Sequence, residues 1–254
     1  MLIVPSATKH PALEEELLLN TLAPFFSQIP VLAALPEDAL RHLERAAEQR
    51  HYRRRQVIHF PDQPGDFLYV LCQGGVKIGR TSEQGREFTL LLLEGPQLFG
   101  ETGLFDPDAP YELMAETMED SLIGVLRRSD MLAALAQSPP ATLEMLKLVS
   151  ERRAWAEAQA ADLVFLEVPR RIARLLLRLH DTISSKSGRG GLLAKLKLTH
   201  QEMANMIGST RETTTLILND FKRQGALEFA GRKIVIHDRT RLEAIAQGGA
   251  ATRK

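Results

Sequence analysis

The spacing of hydrophobic and polar positions changes character several times along this 254-residue chain. Residues 21–48 carry apolar positions at helical intervals. They predict two short helices, the second starting after Pro36 with Leu40 and Leu43 on one face. The period then shortens. Residues 55–60, 67–72, 76–80, 88–93 and 122–127 are strand-like runs separated by clusters of Gly, Pro and Asp. Many short strands at close spacing predict an antiparallel sandwich or roll.

Residues 141–166 contain no Gly or Pro and predict one helix of roughly 25 residues, about 38 Å long. Met145, Val149, Arg152, Ala156, Gln159, Leu163 and Leu166 recur near heptad spacing, a seam that Arg152 and Gln159 interrupt. Ala154, Ala158, Ala160 and Ala161 permit close approach of a second helix. Glu167, Val168 and Pro169 break the helix as a hinge, a further helix covers 170–183, and 184–191 form a loop rich in Ser, Lys and Gly.

The pattern between residues 198 and 221 writes two helix starts in succession. Thr199 with Glu202, and Ser209 with Glu212, each have the spacing of a capping box, with Gly208 as the turn between. Met203, Met206 and Ile207 supply the apolar contact that holds the two helices at an angle. This predicts a helix-turn-helix, in which Ser209, Thr210, Arg211, Glu212 and Thr213 open the helix that enters the major groove. The competing reading is an αα-hairpin with a solvated polar face. Residues 227–229 and 234–237 read as strands joined across Ala230, Gly231, Arg232 and Lys233, a hairpin with a basic tip that favours the DNA-binding reading.

Charge sharpens this. The chain has 32 Lys+Arg and 32 Asp+Glu, but they are segregated. Residues 1–168 hold 15 basic and 25 acidic side chains, and residues 169–254 hold 17 and 7. A net −10 against +10 predicts that the C-terminal part faces a polyanion, with strongly salt-dependent binding.

Cys72 is the one cysteine, which excludes an internal disulfide and a CxxC pair. No apolar run reaches the length of a membrane span. Glu14, Glu15 and Glu16 stand where a signal peptide would be apolar, so a cytoplasmic protein with no membrane contact is expected. A roll-type enzyme would need inward His and carboxylate ligands, and no such cluster is visible; the chain reads as a non-enzyme without metal or cofactor. His51 and His59 read as surface histidines.

The order roll, long helix, hinge and winged helix-turn-helix resembles the Crp/Fnr family of bacterial transcription regulators over nearly the whole chain. FLYVLCQGGVK at 67–77 is similar to that family's strand-and-glycine signature, FGETGLF at 99–105 to its phosphate-binding cassette, and 199–218 to its DNA-reading motif. The resemblance implies an α+β fold: an antiparallel, jelly-roll-like β-roll at 21–137, a dimerisation helix and hinge at 138–168, and a winged helix-turn-helix at 169–246. Tails at 1–20 and 247–254 flank these. It implies a homodimer on a palindromic double-stranded operator near promoters, with RNA polymerase as a further partner, and an effector pocket between roll and long helix.

Carried over by position, Arg211 contacts a guanine and Glu212 a cytosine amino group. Thr199, Gln201, Thr210, Thr213 and Arg232 sit on phosphates, and Ser209, Thr215 and Lys233 complete the DNA-facing set. Many family members place an arginine where this chain has Leu216, so one base contact is either missing or replaced by apolar contact to a thymine methyl. The effector site departs further. Gly100, Glu101, Tyr111, Glu112 and Arg152 are its candidate residues, with Glu101 and Arg152 able to pair. Counting from the cassette puts Tyr111 and Glu112 where cyclic-AMP binders carry an Arg-Ser pair, and Ala156 and Glu157 stand where those binders present Thr-Ser to adenine. Between Glu101 and Leu126 there are seven acids and no Lys, Arg or His. Cyclic AMP is therefore not the expected effector. An unidentified metabolite, or a winged helix that binds a protein partner, are the alternatives.

Overall fold

The structure is a computed structural model that describes residues 22–106, 108–187, 192–193, 198–230 and 233–248. Three short helices, α1 (Ala23–Phe26), α2 (Pro30–Ala33) and α3 (Glu37–Ala46), lead into eight strands. These are β1 (Glu48–Tyr52), β2 (Val57–His59), β3 (Phe67–Gln73), β4 (Gly75–Thr81), β5 (Glu87–Glu94), β6 (Gln97–Phe99), β7 (Met114–Thr117) and β8 (Ser121–Arg127). They pair antiparallel into two four-stranded sheets, ordered β1-β8-β3-β6 and β2-β7-β4-β5. Two antiparallel sheets of this kind are the expected β-roll.

The near-continuous hydrophobic run of β3 has a simple cause: both faces of its sheet are covered. Alternation sends Leu68, Val70 and Cys72 into a core shared with α1–α3, and Tyr69 and Leu71 into the roll interior. On β8, Leu122 and Leu126 take the first side, Ile123 and Val125 the second. Burial pushes the Cys72 thiol up to about 11, so it packs as an inert apolar group.

Helix α4 (Arg128–Ala136) and the long α5 (Pro139–Phe165) close the helical side. Pro139 and Pro140 occupy the first turn of α5, where no backbone donor is lost, and Ser138 caps it by accepting from Ala141 N at 3.3 Å. Met145 belongs to the helical core of the roll, while Arg152 and Gln159 point towards the roll and the C-terminal domain. Of the expected heptad seam, Met145, Arg152 and Gln159 therefore lie on the inward face of α5, while Val149 is turned outward. The outward strip carries Leu143, Leu146, Val149 and Val164, all exposed.

Beyond the break at Leu166 and Glu167, α6 (Val168–Ser187) starts with Pro169 in its first turn. It packs with α7 (His200–Ile207), α8 (Arg211–Arg223), β10 (Leu227–Ala230), β11 (Lys233–Ile236) and α9 (Arg239–Gln247) around a second core. A two-residue strand, β9 (Leu192–Leu193), extends the β10-β11 wing, and α6 runs on to Ser187 into the 184–191 stretch expected as a loop. Among the described residues, no helix is long and apolar enough to cross a membrane.

Candidate nucleic-acid interface and effector region

The first capping box is present in both halves. Glu202 N donates to Thr199 Oγ1 at 3.2 Å, and Thr199 N donates to Glu202 Oε2 at 2.6 Å. Gly208 ends α7 in the left-handed region at φ 61°, which favours glycine, and a Cβ there would press on the Leu163 side-chain tip of α5 at 2.9 Å. The second start differs from the expected Ser209–Glu212 box. Thr210 is the N-cap of α8, its hydroxyl accepting from Thr213 N at 3.2 Å. Shifting the start by one residue leaves the Glu212 carboxylate outside any cap, and it is exposed beside Arg211.

Helix α8 buries Thr214, Leu218 and Phe221, one stripe at i, i+4 and i+7. Opposite them lie Glu212, Leu216, Asn219 and Arg223, all exposed. The helix is thus anchored by one face and presents the other outward, with Arg211 and Glu212 at its leading end. Thr215 is less free: its hydroxyl donates to Arg211 O and meets His200 Nδ1, both at 2.8 Å. Thr213 is half-buried and bonded to Thr210 Oγ1 at 3.0 Å. Ser209 is half-buried, Gln201 and Lys233 are exposed, and Arg232 lies outside the described residues.

His200 carries no motif signal, yet it ties α7 to α8 and its ring lies 5.4 Å from Phe229 of the wing. Burial, reinforced by the Arg211 charge, holds its pKa below the ordinary value.

The same domain is seated on the roll through polar contacts invisible to local pattern. Asn205, buried in α7, donates to Glu87 Oε2 of β5 at 2.9 Å and accepts from Gln201 at 2.7 Å. Glu87 in turn meets Lys77 at 3.2 Å, and Lys77 meets Glu116 at 3.4 Å. Gln159 of α5 donates to Met206 O at 2.9 Å, Trp155 to Leu90 O at 2.9 Å, and Arg171 to Ile207 O at 2.6 Å. Asp162 is buried between Arg174 at 2.5 Å and Arg178 at 2.6 Å.

In the effector region, Gly100 adopts φ 84° and its Cβ position lies 2.9 Å from the Tyr69 ring, which places Glu101 at the head of a short 3-10 turn. Glu101 forms an ion pair with Arg152, both about nine-tenths buried, and Arg152 also donates to Leu98 O. The cassette carboxylate is therefore neutralised from within the chain. The other two candidates do not join it. Tyr111 is a core side chain of the roll, donating its hydroxyl to Phe67 O at 2.5 Å, and Glu112 is exposed.

Contrary to the surface reading, His59 is 4 % exposed and stacks on Tyr111 at 4.0 Å and Tyr69 at 5.5 Å. His51, on β1, is exposed. Neither ring nitrogen of His59 has a partner at bonding geometry, and burial pushes its pKa down to about 4, offset in part by the Leu113 and Phe60 backbone. With Tyr69, Phe99 and Tyr111 it fills the roll interior.

Comparison with known proteins agrees with this arrangement. Residues 170–245 match the Crp-like helix-turn-helix domain, and residues 49–138 the cyclic nucleotide-binding domain. The CRP-like cAMP-activated global transcriptional regulator of Mycobacterium tuberculosis is 30% identical over 212 residues, spanning 84% of this chain and 94% of that protein. The global nitrogen regulator of Nostoc is 30% identical over 189 residues, 73% of this chain and 83% of its own length. Among solved structures, FixK2 from Bradyrhizobium japonicum superposes with a TM-score of 0.69 at 23% identity, over 78% of this chain and 96% of that one. The chain belongs to the Crp/Fnr family of DNA-binding transcription regulators.

Proposed function

We propose that the protein binds a palindromic operator as a homodimer, reading each half-site with α8, and that cyclic AMP is not its effector. The units are the roll at 21–137, the dimerisation helix and hinge at 138–168, and the winged helix-turn-helix at 169–246. One observation carries the DNA reading: Arg211 and Glu212 stand adjacent and exposed at the leading end of a helix whose opposite face is anchored. A guanidinium can donate twice to guanine O6 and N7, and a carboxylate can accept from cytosine N4, as two neighbouring base pairs require. Thr199, Gln201, Thr210, Thr213 and Arg232 fix the register on phosphates, a role that hydroxyls, amides and cations fill without reading sequence, and Ser209, Thr215 and Lys233 complete the DNA-facing set. RNA polymerase is the partner this promoter-bound dimer addresses.

The effector reading rests on Glu101 and Arg152. A cyclic phosphate needs a cation to offset its charge, and Arg152, the cation against the cassette among the described residues, is already paired with Glu101. Calorimetry with cyclic AMP should show no binding at micromolar concentration; a micromolar dissociation constant refutes this part.

Selection from random duplexes with purified protein tests the rest. Arg211→Ala should cost roughly 1 to 3 kcal/mol at the selected operator and flatten the preference at one base pair per half-site. An unchanged sequence preference in that variant would remove α8 from the groove.

A further inference from the structure

We infer that Leu216 reads the C5-methyl group of a thymine in each half-site, a specificity-determining contact that rests on α8 being the groove-entering helix. In residues 168–248, Leu216 is the one large hydrophobic side chain left exposed among the described residues, at 71 %. The other exposed large hydrophobics lie on α5, where an apolar strip faces outward, or at Phe60 and Phe105 of the roll. Leu216 instead interrupts a polar stripe, between Glu212 one turn before it and Asn219 and Arg223 after it.

Its surroundings define what it can meet. The side chain has no donor or acceptor, so it gains nothing from the N7, O6, N6 or N4 groups of a groove edge. The thymine methyl is the apolar group on that edge. Four residues of helix advance about 6 Å, and base pairs follow at about 3.4 Å. Leu216 therefore falls within about two base pairs of the position that Glu212 addresses. A backbone-facing role is disfavoured by the same chemistry, since phosphates offer only charge.

Uracil differs from thymine by this methyl alone, which makes the test direct. Each thymine of the selected operator is replaced by deoxyuridine, and dissociation constants are measured for the wild-type protein and for Leu216→Ala. At one symmetric pair of thymines, uracil should weaken the wild type about fourfold per half-site and about fifteenfold for both, the loss expected for one buried methyl-sized contact. Leu216→Ala should show no loss at those positions while keeping its dependence on the guanine that Arg211 reads. Because Leu216 is exposed, its thermal midpoint should match the wild type, which separates a contact effect from misfolding. Equal uracil costs in both proteins, no uracil cost at any thymine, or an operator with no thymine within two base pairs of the Glu212 position would each overturn the inference. Those outcomes leave the Arg211 result intact, so they are distinguishable from failure of the recognition-helix reading itself.

Discussion

His59 illustrates how little one residue discloses without its neighbours. Its neighbours Val57, Ile58 and Phe60 mark a strand but not which side of it the imidazole takes, and the ring packs inward against Tyr69 and Tyr111. The folded chain holds the neutral ring, with the pKa lowered from 6.5 to about 4. As pH falls through that window the unfolded chain takes up the proton first, so stability present above pH 6.5 is lost towards pH 4. The whole shift corresponds to an upper figure of about 3 kcal/mol. Chemical denaturation at a series of pH values should show the fall, and His59→Phe, which keeps an aromatic in the stack, should flatten it. A pH-independent wild type would mean that the ring is solvated. Arg152 shows the opposite case: its pairing with Glu101 could be named in advance because two opposite charges stood on elements expected to face each other.

At the scale of elements, start signals were legible and their register was not always so. Both Ser209 and Thr210 have the chemistry of a cap, and spacing alone favoured Ser209 because Glu212 lies three residues on. The structure chooses Thr210, since burying Thr214, Leu218 and Phe221 together fixes where α8 begins. Thr210→Ala should therefore destabilise the protein by about 1 kcal/mol, whereas Ser209→Ala should cost only a few tenths. Thermal unfolding of the two variants decides between the two registers. Strands β1, β6 and β7 escaped prediction for a related reason: they are short or charged, and pairing with β8, β3 and β4 rather than their own composition makes them strands.

For the whole molecule, the long helix matters most. Its inward face serves the chain itself, through Met145, Arg152 and Gln159, and its outward apolar strip is what a second copy could cover. Leu146→Glu should give monomers in sedimentation at micromolar concentration and weaken operator binding, because two linked half-sites are lost. A dimer that survives this change would place the interface elsewhere. The seat of the DNA-binding domain on the roll makes another prediction. Asn205→Ala removes both the Glu87 and the Gln201 bonds, so hydrogen exchange in α7 should rise without global unfolding.

Sequence alone determined what depends on neighbours along the chain: one capping box and a second helix start to within a residue, a helix break just before a proline, strands with both faces apolar, and a basic half set against an acidic one. Those features follow from backbone capping, fixed dihedral angles and periodicity, which act over a few residues. Tertiary structure decided which face of α5 is inward, that His59 and Tyr111 are core, and that Asn205 reaches Glu87 across 118 positions of chain. Such choices depend on which surfaces meet after folding, and the free energy of burying or pairing a group depends on partners that no local pattern records.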